Sequence, residues 1–154
     1  KLMNIYIHQF SIDLFNYLRP DDINLNCAIS NKNEVTEMFY QKELSQISTI
    51  EKQQSKIAFQ GNIKKSKIQS LTLDALLEKI NFTDKKLDLL DIDVEGADLK
   101  VLKGFNIEKF KPELICVEIH EKDIKNSEIY KYLINFSYEL VWSGVFSHIF
   151  KSKS

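Results

Sequence analysis

The sequence predicts an α/β fold in which a mostly parallel sheet ends in an antiparallel hairpin. Three observations carry this reading. Short apolar runs of strand type alternate with segments that carry an apolar stripe at helical spacing. The run Leu87-Asp88-Leu89-Leu90-Asp91-Ile92-Asp93-Val94 is an apolar strand that ends in acids, as a strand does when its carboxyl end opens on a ligand site. Ser143-Gly144 stands between two further strand patterns and reads as a hairpin turn. Helices on both faces of the sheet are expected from the alternation.

The elements follow in order. Leu2 to Ile7 is a short strand. Ser11 is the expected N-cap of a helix whose face carries Ile12, Phe15 and Leu18, and Arg19-Pro20 ends it. Ile23 to Ile29 alternates as a strand, with Val35 to Tyr40 as its expected antiparallel partner across the turn Asn31-Lys32-Asn33. From Gln41 to Lys67 the chain turns polar, and this stretch reads as a long surface loop with at most one helical turn. Lys64, Lys65 and Lys67 in it read as a solvated charged edge.

Ile68 to Leu73 is the next strand. Thr72 or Asp74 caps a helix to Ile80 with the stripe Leu73, Leu76, Leu77 and Ile80. After the strand that ends at Val94, Gly96 opens a helix with Leu99, Val101 and Leu102, and Gly104 stops it. Glu113 to Ile119 is a strand of buried type, and Ile129 to Phe136 a helix. Tyr138 to Trp142 and Val145 to Phe150 form the hairpin. Trp142 is expected in the core. His8 and His148 are expected at the surface or a sheet edge.

Composition narrows the function. With 21 basic and 22 acidic residues, net charge −1, the chain offers no footprint for nucleic acid. Its 154 residues suit one domain. No apolar run is long enough to span a membrane, since Leu140 to Phe150 is broken by Ser143, Gly144, Ser147 and His148. Lys1 to Phe10 shows no secretory leader pattern. Cys27 and Cys116 are too few for a disulfide framework or a zinc site; both read as buried free thiols, which suits a cytoplasmic location. The 4 glycines, Gly61, Gly96, Gly104 and Gly144, are far apart. A glycine-rich phosphate loop needs two or three in about six residues, so these form none.

The chemistry is expected at two strand ends. While the strand lasts, its alternation puts Asp91, Asp93 and Glu95 on one side. Three carboxylates so placed raise one another's pKa unless a cation, a hydroxyl or water intervenes, which is costly for a purely structural strand. The plainer reading is a solvated strand end, with Glu95 and Asp98 attracted to the helix N-terminus. At the second end, Glu118 falls inside the apolar run and His120 just beyond it. That histidine suits a general base or a hydrogen-bond partner of a substrate, against the plainer reading of a surface histidine without a task. Two reaction classes fit acids at a strand tip. One is group transfer from a nucleotide-like cofactor to a hydroxyl that an acid orients. The other is sugar transfer with a divalent metal held by Asp91-Ile92-Asp93. The continuation into Val-Glu-Gly and a helix favours the first.

Asp88-Leu89-Leu90-Asp91-Ile92-Asp93-Val94-Glu95-Gly96-Ala97-Asp98-Leu99-Lys100-Val101-Leu102-Lys103-Gly104 resembles the hallmark of FkbM-type S-adenosylmethionine-dependent methyltransferases. Supporting pieces come in order: Ser11 to Ser30 resembles the second-strand and third-strand region, Ser70 to Asp74 the approach to the fourth strand, and Val117-Glu118-Ile119-His120 the fifth. The resemblance implies a Rossmann-like class I methyltransferase sheet, ordered 3-2-1-4-5-7-6, with a terminal antiparallel hairpin. It implies methyl transfer from S-adenosylmethionine to a hydroxyl of a saccharide or other small-molecule or glycan acceptor. Asp93, Glu95 and His120 would be catalytic, Asp91 and Glu118 would meet the substrate, and Cys27, Ala28 and Ile29 would approach the adenine; no metal is implied.

The family's first strand and its glycine-containing loop have no counterpart here, and Tyr6 stands where an acid should hold the ribose. Residues 1–154 are therefore expected to be a single partial methyltransferase domain. The absent strand is the central one, so the edges beside it pair directly, are covered by another chain as in a homo-oligomer or by a missing N-terminal segment, or leave the fragment only marginally stable. A metal-dependent glycosyltransferase and a non-catalytic remnant are the alternatives.

Overall fold

A computed structural model describes residues 2–42, 47–82 and 86–153. Among these residues nine strands fall into three sheets. In the first, β1 (Met3–Tyr6) pairs in parallel with β2 (Ile23–Asn26). In the second, β5 (Lys64–Leu71) is central, parallel to β3 (Ala28–Ile29) and antiparallel to β4 (Glu34–Tyr40). The third has the order β6-β7-β9-β8. In it β6 (Leu89–Ile92) runs parallel to β7 (Leu114–Glu118), and β9 (Ser147–Ser152) is antiparallel to both β7 and β8 (Tyr138–Ser143). The helices are α1 (Gln9–Leu18), α2 (Lys52–Ala58), α3 (Leu73–Lys79), α4 (Asp98–Lys103), α5 (Ile107–Phe110) and α6 (Glu128–Asn135). The mixed α/β class is as expected.

Local chemistry explains most element ends. The Thr72 side chain accepts from the Ala75 N–H and caps α3; Ser127 accepts from Ile129 and caps α6. Gly104 closes α4 as expected. It lies so close to β3 that a Cβ there would sit 2.3 Å from the Ser30 carbonyl oxygen, which leaves room for glycine alone. Ser11 does not cap α1; the helix starts three residues earlier than that cap would place it, at Gln9 after His8.

Three expectations about strands change. The run Ile23 to Ile29 divides at Cys27 into β2 and β3, which belong to different sheets. β4 pairs with β5 rather than with the preceding run 23–29. The polar stretch Gln41 to Lys67 contains α2 and the first half of β5, as well as an isolated bridge between Phe39 and Thr49. Residues 43–46 of it, Ser45 included, lie outside the described residues. Lys64, Lys65 and Lys67 are exposed on β5, in keeping with a solvated edge.

The core gathers Leu73, Leu76 and Leu77 of α3, Val101 and Leu102 of α4, and Leu133 of α6. They meet Ile92, Ile115, Val117 and Phe150 of the third sheet. Burying each large apolar side chain contributes roughly 1.5–3 kcal/mol. Burial alternates along β7: Ile115 and Val117 are buried, while Leu114, Cys116 and Glu118 are half-buried. One face of this sheet thus carries the core, and the other is less covered. Cys27 is a buried free thiol as expected, but Cys116 is only half-buried. Trp142 and His148 exchange their expected places. Trp142 is 54% exposed, whereas His148 is 1% exposed, with Nδ1 2.7 Å from Ser143 Oγ.

Candidate functional site

β6 ends at Ile92, so of the three alternating acids only Asp91 lies in the strand. Asp93, Val94, Glu95 and Gly96 form the turn that leads to α4. Glu95 has φ +52° and Gly96 φ +90°. Glycine takes that conformation freely, whereas for a residue with a Cβ it costs roughly 1–2 kcal/mol. Two hydrogen bonds offset this cost. Thr49 Oγ1 donates to the Glu95 carbonyl at 2.9 Å, and the Gly96 N–H donates to Asp98 Oδ2 at 3.2 Å.

The acids share one electrostatic neighbourhood. Burial pushes the Glu95 carboxyl above its ordinary range, Asp93 and Glu118 add to the push, and His120 opposes it. Burial also raises Glu118, with Asp93 adding and His120 opposing. His120 Nε2 lies 3.5 Å from Glu118 Oε2, and its ring is 5.0 Å from that of Phe146. Asp98 is 3% exposed, and burial pushes it up to about 6. Its Oδ1 has no hydrogen-bond partner among the described residues. Burial, then the neighbouring Asp91 carboxylate, raises the Cys116 thiol to about 11.

A cleft of about 690 Å³ opens beside the turn, between β1 and β6. Asp91, Asp93 and Glu95 line it, together with Cys27, Ala28 and Ile29. Tyr6, His8 and Thr49 also reach it. Six of the eight expected site residues thus share one cleft. Glu118 and His120 do not line it and join the group through their charge on Glu95. Among the described residues, no three histidine, cysteine or acidic side chains are placed to hold a metal ion.

Sequence reasoning missed the segment that closes the cleft. His8 Nε2 is hydrogen-bonded to Ser48 Oγ, and Glu51 Oε1 is 2.6 Å from Lys100 Nζ of α4. The Gln54 side chain packs against Gly96. These bonds span 40 or more residues, so no local pattern announces them.

The turn Asp93 to Gly96 and its cleft lie inside a stretch, residues 5–140, that matches the family model of the methyltransferase FkbM domain. The chain belongs to this family. No curated protein and no solved structure matches it. Its enzyme class as an FkbM domain is methyltransferase. The match takes in Cys27 to Ile29, the acidic turn, Glu118 and His120, and ends at Leu140 inside β8. Among the described residues of this FkbM domain, no helix is long and apolar enough to cross a membrane.

Proposed function

We propose that this FkbM domain is an S-adenosylmethionine-dependent O-methyltransferase domain whose acceptor is a hydroxyl of a saccharide or related small molecule or glycan. The observation that carries the proposal is the cleft, whose lining joins the acids of the β6 turn with the apolar run Cys27-Ala28-Ile29. That run suits an adenine ring, and the carboxylates suit a cation and a hydroxyl; S-adenosylmethionine would supply the methyl group. Asp93 and Glu95 are the catalytic pair, of which one orients the acceptor hydroxyl and the other takes its single proton. A carboxyl raised by burial, as Glu95 is, is a stronger base than an exposed one, which favours proton uptake in that place. His120, tied to Glu118, extends the site towards the acceptor, and Asp91 and Glu118 bind it.

The strand orders support a class I, Rossmann-like sheet. β2-β1 and β6-β7-β9-β8 correspond to its strands 3-2 and 4-5-7-6. In that order a strand belongs between β1 and β6, where the described residues have none. Residues 1–154 would on this reading form one partial domain. Another copy of the chain or an N-terminal segment would complete it. The two free thiols suit a cytoplasmic setting.

The test is methyl transfer by the active enzyme that carries this domain. Asp93→Asn should lower turnover roughly 100-fold, the scale of a lost acid–base group. Unchanged turnover would remove Asp93 from the reaction.

A further inference from the structure

The Glu95–Gly96 peptide is held at both ends by buried side chains that no catalytic role requires. Its carbonyl accepts from Thr49 Oγ1, and its N–H donates to Asp98 Oδ2. Thr49 is 1% exposed and Asp98 3%. The direction of the Thr49 bond is dictated by its surroundings. Thr49 Oγ1 accepts from the Glu51 N–H at 2.9 Å, which leaves its own proton free for the Glu95 carbonyl. The Thr49 backbone is fixed in turn by two bonds to Phe39, of 2.8 and 3.1 Å. Glu51 pairs with Lys100 on the far side of the turn, and the Gln54 side chain would lie 3.3 Å from a Cβ on Gly96.

We propose that Thr49 and Asp98 are positioning residues that grip this peptide and so aim the Glu95 side chain at the mouth of the cleft. Rotation of the peptide plane changes ψ of Glu95 and φ of Gly96 together. With the carbonyl and the N–H both tied, that rotation is blocked, which holds ψ of Glu95, and so the direction of its Cβ, together with the φ of +90° at Gly96. The inference rests on the reading of Glu95 as an acting group, but its test does not depend on methyl transfer.

The test is NMR on the isotope-labelled chain. In the unmodified chain the Glu95 Cα and Cβ shifts should have left-handed values, and the Gly96 amide should exchange far more slowly than an open peptide. Thr49→Val removes the donor, and Asp98→Ala the acceptor. Each should move the Glu95 shifts and speed Gly96 exchange about tenfold, the scale of one lost hydrogen bond. Thr49→Ser and Asp98→Asn keep the donor and the acceptor and should restore both readings, which a general loss of packing would not predict. Open-peptide exchange of Gly96 in the unmodified chain would overturn the proposal even where a variant does not fold. So would folded Thr49→Val and Asp98→Ala chains with unmoved Glu95 shifts. If turnover survives Asp93→Asn while these spectra behave as expected, the catalytic reading fails and the grip stands.

Discussion

Asp98 is the residue whose environment makes the sharpest demand. Its carboxyl is pushed from 3.8 to about 6, chiefly by burial, and one of its oxygens has no partner among the described residues to replace water. Above pH 6 the group is ionised in both the folded and the unfolded chain, and the fold bears the full cost of a buried charge. As pH falls from 6 to 4 the folded chain takes up the proton first, so stability rises, and the gain is complete below about 4. The difference is on the order of 2–3 kcal/mol. Asp98→Asn should therefore be more stable than the parent chain at pH 7 and equal to it at pH 4, by thermal melts at both. The same offset at both would contradict the account. Asp93, Glu95 and His120 are legible in the sequence because charge inside or just past an apolar strand is costly and stands out. Thr49 is not legible, since its partner is 46 residues away.

Among the elements, the α4 terminus shows how tightly the site's supports pack. Gly104 touches the end of β3 at Ser30 and Asn31, and a methyl group there meets backbone that has little freedom to withdraw. Gly104→Ala should cost about 1–3 kcal/mol, the range for overpacking, and a denaturant titration would measure it. A neutral outcome would mean that β3 yields. Elements with a local signal are readable: Thr72, Gly104 and the Ser143-Gly144 turn announce their own ends. β4 and the second half of β5 are readable as strands, but their pairing is not, because it joins residues 24 to 36 apart, and the first half of β5 is a lysine-rich run that reads as loop. The division of the run 23–29 at Cys27 is also hidden, since its alternation barely breaks where the chain changes sheets.

Across the whole molecule, β1 and β6 face a common cleft without pairing to each other. Of the outcomes expected for these two edges, direct pairing is therefore not the one taken. Calorimetric titration of S-adenosylmethionine into this chain should show binding weaker than micromolar, since no glycine-rich loop cradles the cofactor and Tyr6 stands at the end of β1. Micromolar affinity would show that the cleft suffices by itself. The mixed α/β class was legible from alternation alone. The division into three sheets was not, because it depends on which strand edges meet, and periodicity reports faces rather than partners.

Trp142 is the single tryptophan of the chain and stands more than half in solvent. Its emission in the native state will already resemble that of an indole in water, and unfolding changes its surroundings little. A melt followed by tryptophan fluorescence would therefore look nearly flat while the fold is lost. Circular dichroism, or the signal of Tyr138, which is 2% exposed, will report the transition instead.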